Sequence, residues 1–136
     1  KKYLKIRKKI KSKHDYVKNL QKQISSILQA LEKVEANKVF IYPCSDPGYD
    51  IIIDNIKKFC LKNKDSIFHK NMTNDLFYSL YSKSDLILGN SSSGILESCY
   101  FKIPAINLGN RQKGRLQTKN ILFFYRYFFW YLVKRK

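Results

Sequence analysis

The chain has 136 residues, 44% of them hydrophobic, which allows one domain with a real core and excludes a compositionally disordered protein. Its formal net charge of +17 points at first to nucleic acid or an anionic membrane surface. The charge lies mostly at the ends: residues 1–13 carry eight Lys or Arg and residues 124–136 carry four, with no acid in either segment. Such runs are typical of solvated, disordered ends. We therefore interpret the chain as a body, residues 14–122, between a basic tail (1–13) and an aromatic, basic tail (123–136).

Cysteines and histidines are few and far apart, which argues against a disulfide framework or a zinc site. Cys60 and Cys99 lie in apolar sequence and are expected in the core. No apolar stretch follows the basic N-terminus as it would in a signal peptide, so we expect a cytoplasmic protein without a metal or cofactor. The stretch ILFFYRYFFWYLV has about 13 residues, too few for the ~20 of a membrane span. It is either a core segment without its partner or a surface that lies on a membrane.

Helical and strand patterns alternate along the chain. Apolar residues recur at helical spacing from His14 to Val34, Thr73 or Asn74 can cap a later helix, and Pro104 stops the last one. In chain order, the predicted elements are a helix over 14–34, a strand over 38–44, a turn over 45–48, a helix over 49–62, a strand over 66–69, a helix ending near 82, a strand over 85–88, a helix over 94–101 and a strand over 105–108.

This alternation predicts an α/β fold with one parallel sheet and helices on both faces, a Rossmann-like three-layer arrangement, because parallel neighbours need crossover connections. The predicted strands are continuously apolar, as in sheets covered on both faces. Ligands of such sheets bind beyond the carboxyl ends of the strands. Polar loops follow all four predicted strands, and we expect them to share one edge.

The stretch GNSSSGILES places three serines and a glycine between a strand and a helix. Free backbone N–H groups, the helix dipole and the hydroxyls of Ser91, Ser92 and Ser93 favour a phosphate there, and Gly94 allows close approach. The stretch matches neither GxxxxGK[ST] nor GxGxxG. Glu97 is a reasonable acceptor for two ribose hydroxyls, and Arg111 follows the neighbouring strand and can reach phosphate oxygens.

These residues predict a nucleoside diphosphate site. The alternative is purely structural: the serines only cap a helix, and Glu97 is the partner in a capping box.

Three motifs together carry a family resemblance: YPCSDPGYD, GNSSSGILES and PAINLGNRQKGR. On these motifs the chain resembles the hydrolysing UDP-N-acetylglucosamine 2-epimerases, of the type found in sialic-acid pathways. The resemblance covers about residues 17–122. It implies the C-terminal half of a two-lobed, glycosyltransferase-B-like fold, with UDP-N-acetylglucosamine as substrate and N-acetylmannosamine and UDP as products.

The resemblance also implies roles for individual residues. His14 lies roughly where the family has a catalytic histidine, although its surroundings do not match, and the alternative is a surface histidine at a helix start. By match to the family motifs, Ser91, Ser92 and Gly94 would contact the diphosphate, Glu97 the ribose, Arg111 the phosphate region, Asn71 and Met72 the uridine, and Cys44, Asp46 and Gly48 the substrate.

The family's first lobe, with its proposed acid and base, has no counterpart in these residues, so we expect UDP binding without turnover, with a missing lobe or a homo-oligomer as open possibilities. Two alternatives stay open. One is a sugar-nucleotide glycosyltransferase lobe. The other is a basic module that binds nucleic acid or a membrane. No nucleic-acid-binding motif is visible, however, and we expect that no nucleic acid binds.

Overall fold

The structure is a computed structural model that describes residues 2–43, 48–115 and 118–124. The chain divides into two compact units, with the boundary between Asn71 and Met72. In the first unit the described elements are α1 (Lys2–Leu31), β1 (Lys38–Ile41), α2 (Tyr49–Lys62) and β2 (Ser66–His69). In the second they are α3 (Asn74–Ser82), β3 (Ile87–Gly89), α4 (Ser93–Tyr100), β4 (Ala105–Leu108) and β5 (Ile121–Phe124).

The first unit packs two helices against a two-stranded parallel sheet. Strands β1 and β2 pair with Val39 opposite Ile67. Helices α1 and α2 bury their apolar stripes together, because residues three or four apart share one helix face. Phe59 also meets Phe40 of β1 edge to face, with ring centroids 5.6 Å apart. The buried cluster consists of Ile24, Leu28, Ile56 and Phe59.

The second unit is built on a three-stranded parallel sheet in the order β3-β4-β5. Gly89 lies opposite Asn107 at the carboxyl ends of β3 and β4, and Leu108 lies opposite Phe124 on β5. Helix α4 is the crossover between β3 and β4, and a methyl group on Gly94 would lie 3.9 Å from Ile87. The carboxyl ends of the three strands therefore share one edge, at which the loops after β3 and β4 begin.

Much of the secondary structure agrees with the sequence prediction. The fold is α/β with parallel strands, and α2, β2 and β4 have the predicted bounds. Thr73 caps α3, since its hydroxyl accepts a hydrogen bond from the Leu76 N–H at 3.3 Å. The three-layer arrangement and its place in a two-lobed fold stay predictions.

The predictions at both ends need correction. The first helix starts at Lys2 instead of His14, so residues 2–13 are helical and not a disordered tail. Residues 1–36 contain neither Gly nor Pro, and Lys, Arg, Leu and Ile are adequate helix formers, so the charge run does not stop the helix. At the other end β5 was not predicted, and it includes two residues, Phe123 and Phe124, that we had placed in the tail.

Predictions about the sheet and the core were also partly wrong. The described strands pair as a two-stranded and a three-stranded sheet instead of one four-stranded sheet, so the loops after β1 and β2 begin at one edge of the first sheet and those after β3 and β4 at one edge of the second. The strands are not covered throughout: Ile67 is 50% and Leu122 56% exposed. Cys60 is half-buried, whereas Cys99 is exposed because it lies next to the buried Ser98 on α4. Among the described residues, no helix is both long and apolar enough to cross a membrane.

Candidate functional site

The serine turn, residues 90–93, connects the end of β3 to the start of α4. Ser92 is the N-cap, but its side chain makes no capping bond; instead the Ser91 hydroxyl accepts a hydrogen bond from the Ser93 N–H at 3.3 Å. The next N–H groups, from Gly94 to Leu96, bond to the carbonyls of Ser91 and Ser92 at 2.9–3.2 Å. Within the described ranges, no protein acceptor takes the N–H groups of Ser91 and Ser92. Two backbone donors therefore stay available at the positive end of the helix dipole.

Two buried side chains fix the first turn of α4. The Tyr81 hydroxyl on α3 donates to the Ser93 carbonyl at 2.7 Å. The Ser98 hydroxyl, which has no exposed surface, donates to the Gly94 carbonyl at 2.7 Å. Asn120, just before β5, donates to the Ser98 hydroxyl at 3.0 Å and to the Ile103 carbonyl at 2.8 Å. The start of α4 is thus tied to α3 and to the segments that flank β4.

Glu97 lies one helical turn after Ser93 on α4, so the two side chains share a face. Glu97 Oε2 and the Ser93 hydroxyl are both buried without a hydrogen-bond partner in the part of the chain that the structure describes. A buried carboxylate oxygen without a donor is costly, and Oε2 is closed to a ligand as well as to water, so ligand hydroxyls can reach only the other carboxylate oxygen, Oε1. The N-cap at Ser92 puts Ile95 at the third helical position, so the capping-box alternative for Glu97 is wrong.

Electrostatics connect Tyr81 to the same place. Burial raises the pKa of the Tyr81 phenol above its usual 10.0. The negative charge of Glu97 also raises the pKa of Tyr81. Tyr81 therefore stays a neutral donor at the start of α4.

The loop after β4 carries the cations. Gly109 and Gly114 have φ values of 79° and 86°, a left-handed conformation that glycine adopts without strain. Arg111 is exposed, whereas the next residue, Gln112, is only 3% exposed. Gln112 Nε2 donates to the Asn90 carbonyl at 2.8 Å, which joins this loop to the serine turn. The cationic loop and the serine turn are therefore neighbours, as the order of the strands predicted.

Sequence reasoning did not identify Gln112 as a functional residue. Its position in the motif INLGNRQKGR was the available signal, since composition alone does not show that a polar residue in a charged loop is buried. Among the described residues, no group of three His, Cys, Asp or Glu side chains is close enough to hold a metal ion.

None of the other predicted site residues belongs to the serine turn or to the loop after β4, and two of them lie outside the described residues. Asn71 is exposed at the end of the first unit, Met72 is half-buried at the start of the second, and Gly48 precedes α2. Cys44 and Asp46 lie outside the described residues. His14 lies inside α1 and not at a helix start, because the helix begins at Lys2.

Fold and site define an α/β chain with a hydroxyl-rich turn and a cationic loop at the carboxyl edge of a parallel sheet, the edge at which such sheets bind ligands. The family model described as UDP-N-acetylglucosamine 2-epimerase matches residues 14–126. The chain belongs to this family.

Relatives with similar sequences support the assignment. The chain is similar to the GDP/UDP-N,N'-diacetylbacillosamine 2-epimerase (hydrolyzing) of Campylobacter jejuni, with 40% identity over 109 residues, 78% of this chain and 28% of that protein. It is 30% identical over 106 residues to the UDP-N,N'-diacetylbacillosamine 2-epimerase (hydrolyzing) of Legionella pneumophila, 78% of this chain and 28% of that protein. It is 31% identical over 94 residues to the UDP-N-acetylglucosamine 2-epimerase of Neisseria meningitidis, 69% of this chain and 24% of that protein. The chain thus spans 24–28% of the length of these three relatives.

Proposed function

We propose that this chain is the UDP-binding lobe of a hydrolysing 2-epimerase that acts on a UDP-linked 2-acetamido sugar, within a glycosyltransferase-B-like fold. One observation carries the proposal. The Gln112–Asn90 hydrogen bond joins the serine turn, with its two available N–H donors, to the loop that carries Arg111. Donors and a guanidinium at one edge suit a diphosphate, and the half-buried carboxylate of Glu97 suits the hydroxyls of the adjoining ribose.

The proposed roles follow the chemistry of each group. The N–H groups of Ser91 and Ser92, and the Ser92 hydroxyl, hold phosphate oxygens, and by the family resemblance Gly94 contacts them as well. Arg111 neutralises the charge of the diphosphate. Glu97 accepts from the ribose hydroxyls through Oε1, the carboxylate oxygen that is not buried. By the family resemblance we further propose that Asn71 and Met72 contact uridine and that Cys44, Asp46 and Gly48 belong to the substrate loop.

The proposed reaction has two steps. UDP leaves C1 as the C2 proton is removed, which gives a 2-acetamidoglucal. Water then adds across the double bond and yields the 2-epimer, N-acetylmannosamine when the sugar is N-acetylglucosamine. Both steps need a positioned acid and base, and His14 is the only residue here to which the resemblance assigns such a role. We therefore propose that these 136 residues bind UDP and turn over no sugar by themselves.

A second candidate substrate is UDP-N,N'-diacetylbacillosamine. It is favoured by the relative with 40% identity, whose name includes this sugar, whereas the Neisseria relative at 31% is named for N-acetylglucosamine. Both candidates share UDP, which this lobe would hold. Calorimetric titration with the two sugar nucleotides would separate them, because a lobe that contacts the sugar binds one more tightly than UDP itself.

The test of the proposed function is a UDP titration of the purified chain by calorimetry, with CMP and GDP as competing nucleotides. We expect saturable UDP binding that Arg111→Ala and Glu97→Gln each weaken by roughly tenfold, the effect of about 1.4 kcal/mol. Lys83→Ala is the matched control, because Lys83 is an exposed cation of the same unit that precedes β3 and so lies at its amino end. Equal loss in Lys83→Ala would mean non-specific attraction to the basic chain. A folded chain that ignores UDP would refute the proposal.

A further inference from the structure

Gln112 is an uncharged, buried side chain inside an exposed cationic loop. Its neighbours Arg111 and Lys113 are exposed, whereas Gln112 is 3% exposed. The Lys113 N–H bonds to the Asn110 carbonyl at 3.0 Å and the Arg115 N–H to the Gln112 carbonyl at 3.3 Å, so the loop folds as a tight turn. Successive side chains therefore point in different directions: the amide of Gln112 is buried, while the cationic side chains beside it are exposed to solvent.

The buried amide makes a defined contact across 22 residues of sequence. Gln112 Nε2 donates to the backbone carbonyl of Asn90 at 2.8 Å. A carbonyl oxygen only accepts hydrogen bonds, so the amide group has to point its nitrogen at Asn90, and the opposite orientation would place two oxygens together. The bond therefore fixes both the side chain and the distance between the two loops.

The same side chain does not serve stability well. Gln112 Oε1 is buried without a hydrogen-bond partner among the described residues. One hydrogen bond of ordinary strength is offset by the cost of an unpaired buried acceptor. The net stabilisation from this amide is therefore small, and its clear consequence is geometric.

We infer that Gln112 is a positioning residue that holds the serine turn at a fixed distance from the Arg111 loop, so that both grip one diphosphate. The inference rests on the proposed function for its ligand, but the clamp itself is a property of the free chain. Loss of the clamp lets the turn and the loop move apart, which weakens contacts that need both. Contacts to the uridine base need neither and stay the same.

The test compares Gln112→Met and Gln112→Glu with the starting chain. Both variants keep the length of the side chain; Gln112→Met lacks the donor at any pH, and Gln112→Glu lacks it when its carboxyl group is ionised. We expect UDP affinity to fall by roughly tenfold in each, uridine affinity followed by NMR to stay constant, and the thermal midpoint of Gln112→Met to stay unchanged. Asn55→Leu is the matched control, because Asn55 also donates its amide to a backbone carbonyl, that of Ile51 at 2.7 Å, but within a single helix. It should leave both affinities unchanged.

Backbone hydrogen exchange at Gly94, Lys113 and Arg115, whose N–H groups bond to carbonyls of the serine turn and of the loop, tests the clamp without any ligand. Faster exchange at these positions in Gln112→Met, with no change in α2, would support the inference. This holds even if the starting chain does not bind UDP, a result that would overturn only the proposed function. Unchanged exchange and unchanged UDP affinity would overturn the inference and leave the proposed function standing. A lower thermal midpoint with equal losses for UDP and uridine would show a merely structural residue and would also overturn it.

Discussion

The hydrogen-bond network around Asn120 leads to a specific prediction about the stability of the second unit. Asn120 Nδ2 donates to Ser98 Oγ and to the Ile103 carbonyl, while Asn120 Oδ1 accepts from Thr118 Oγ1 at 2.5 Å. Ser98 has no exposed surface and Ile103 is 5% exposed, so neither recovers its bond from bulk water. Net hydrogen bonds contribute about 1 kcal/mol each, and an acceptor left buried costs about 1–3 kcal/mol. Asn120→Ala should therefore lower the free energy of unfolding by about 2–4 kcal/mol.

Ser98→Ala removes one member of the same network. It deletes the bond to the Gly94 carbonyl and leaves Asn120 Nδ2 with the Ile103 carbonyl as its acceptor. We expect a loss of about 1–2 kcal/mol. The double variant should lose about 1 kcal/mol less than the sum of the single losses, because both substitutions break the Ser98–Asn120 bond and residues in contact are not additive.

Urea unfolding followed by circular dichroism measures these free energies, provided that the m-value stays constant across the variants. Ser82→Ala is the matched control: Ser82 is exposed, and among the described residues its hydroxyl bonds only to the Ser79 carbonyl of its own helix, at 2.9 Å. It should change stability by less than about 0.5 kcal/mol. The reasoning fails if Asn120→Ala is as mild as Ser82→Ala, or if the Ser98 and Asn120 effects add fully.

Three further predictions concern single groups. Gly48 has φ 87°, and a methyl group on it would lie 2.7 Å from the flexible tip of Leu20. Gly48→Ala should therefore lower the free energy of unfolding, measured with urea, by about 1–2 kcal/mol. Because most of this loss comes from backbone strain, Leu20→Ala should not relieve it. The pKa of Tyr81 is raised in the folded chain, so its contribution to stability is complete below pH 10.0 and is lost as the pH rises through the pKa of the folded state. Tyr81→Phe should therefore reduce the loss of stability at alkaline pH. An unchanged dependence of stability on pH in this variant would contradict the prediction. Cys99 is exposed, whereas burial raises the pKa of the half-buried Cys60 thiol. In a Cys44→Ser background, a thiol reagent should therefore label Cys99 in a fast phase and Cys60 more slowly. Cys99→Ser should abolish the fast phase.

Elements specified by local sequence were predictable, and those that depend on distant partners were not. Helix α2 has a glycine before it, an acid in its first turn and a regular apolar stripe, so its bounds follow from sequence. Strand β5 lies in a run of aromatic residues with no turn signal at Phe124, and its pairing with β4 defines it. Likewise, the start of α1 at Lys2 could not be read from a charge run that resembles a solvated tail.

The candidate site shows the same division. Its chemistry was visible in the residues, because serines, a carboxylate and an arginine at strand ends suit a nucleoside diphosphate. The Gln112–Asn90 bond and the buried acceptor of Glu97 were not visible, since both depend on which polar atoms the fold removes from water. Sequence thus indicated the groups available to a ligand, and the tertiary structure determines which of them already have partners.

Ser91 and Ser92, which are adjacent in the turn, differ in whether their hydroxyl groups already have a protein partner. The Ser91 hydroxyl accepts from the Ser93 N–H and so serves the start of α4, whereas the N-cap residue Ser92 makes no capping bond with its side chain. A helix cap and an anion compete for the same donors, and here the cap uses only the N–H of Ser93. The structural and the functional interpretations of the serine turn are therefore compatible: Ser91 stabilises the helix with its side chain, while the hydroxyl of Ser92 and the N–H groups of both serines are available to the proposed diphosphate.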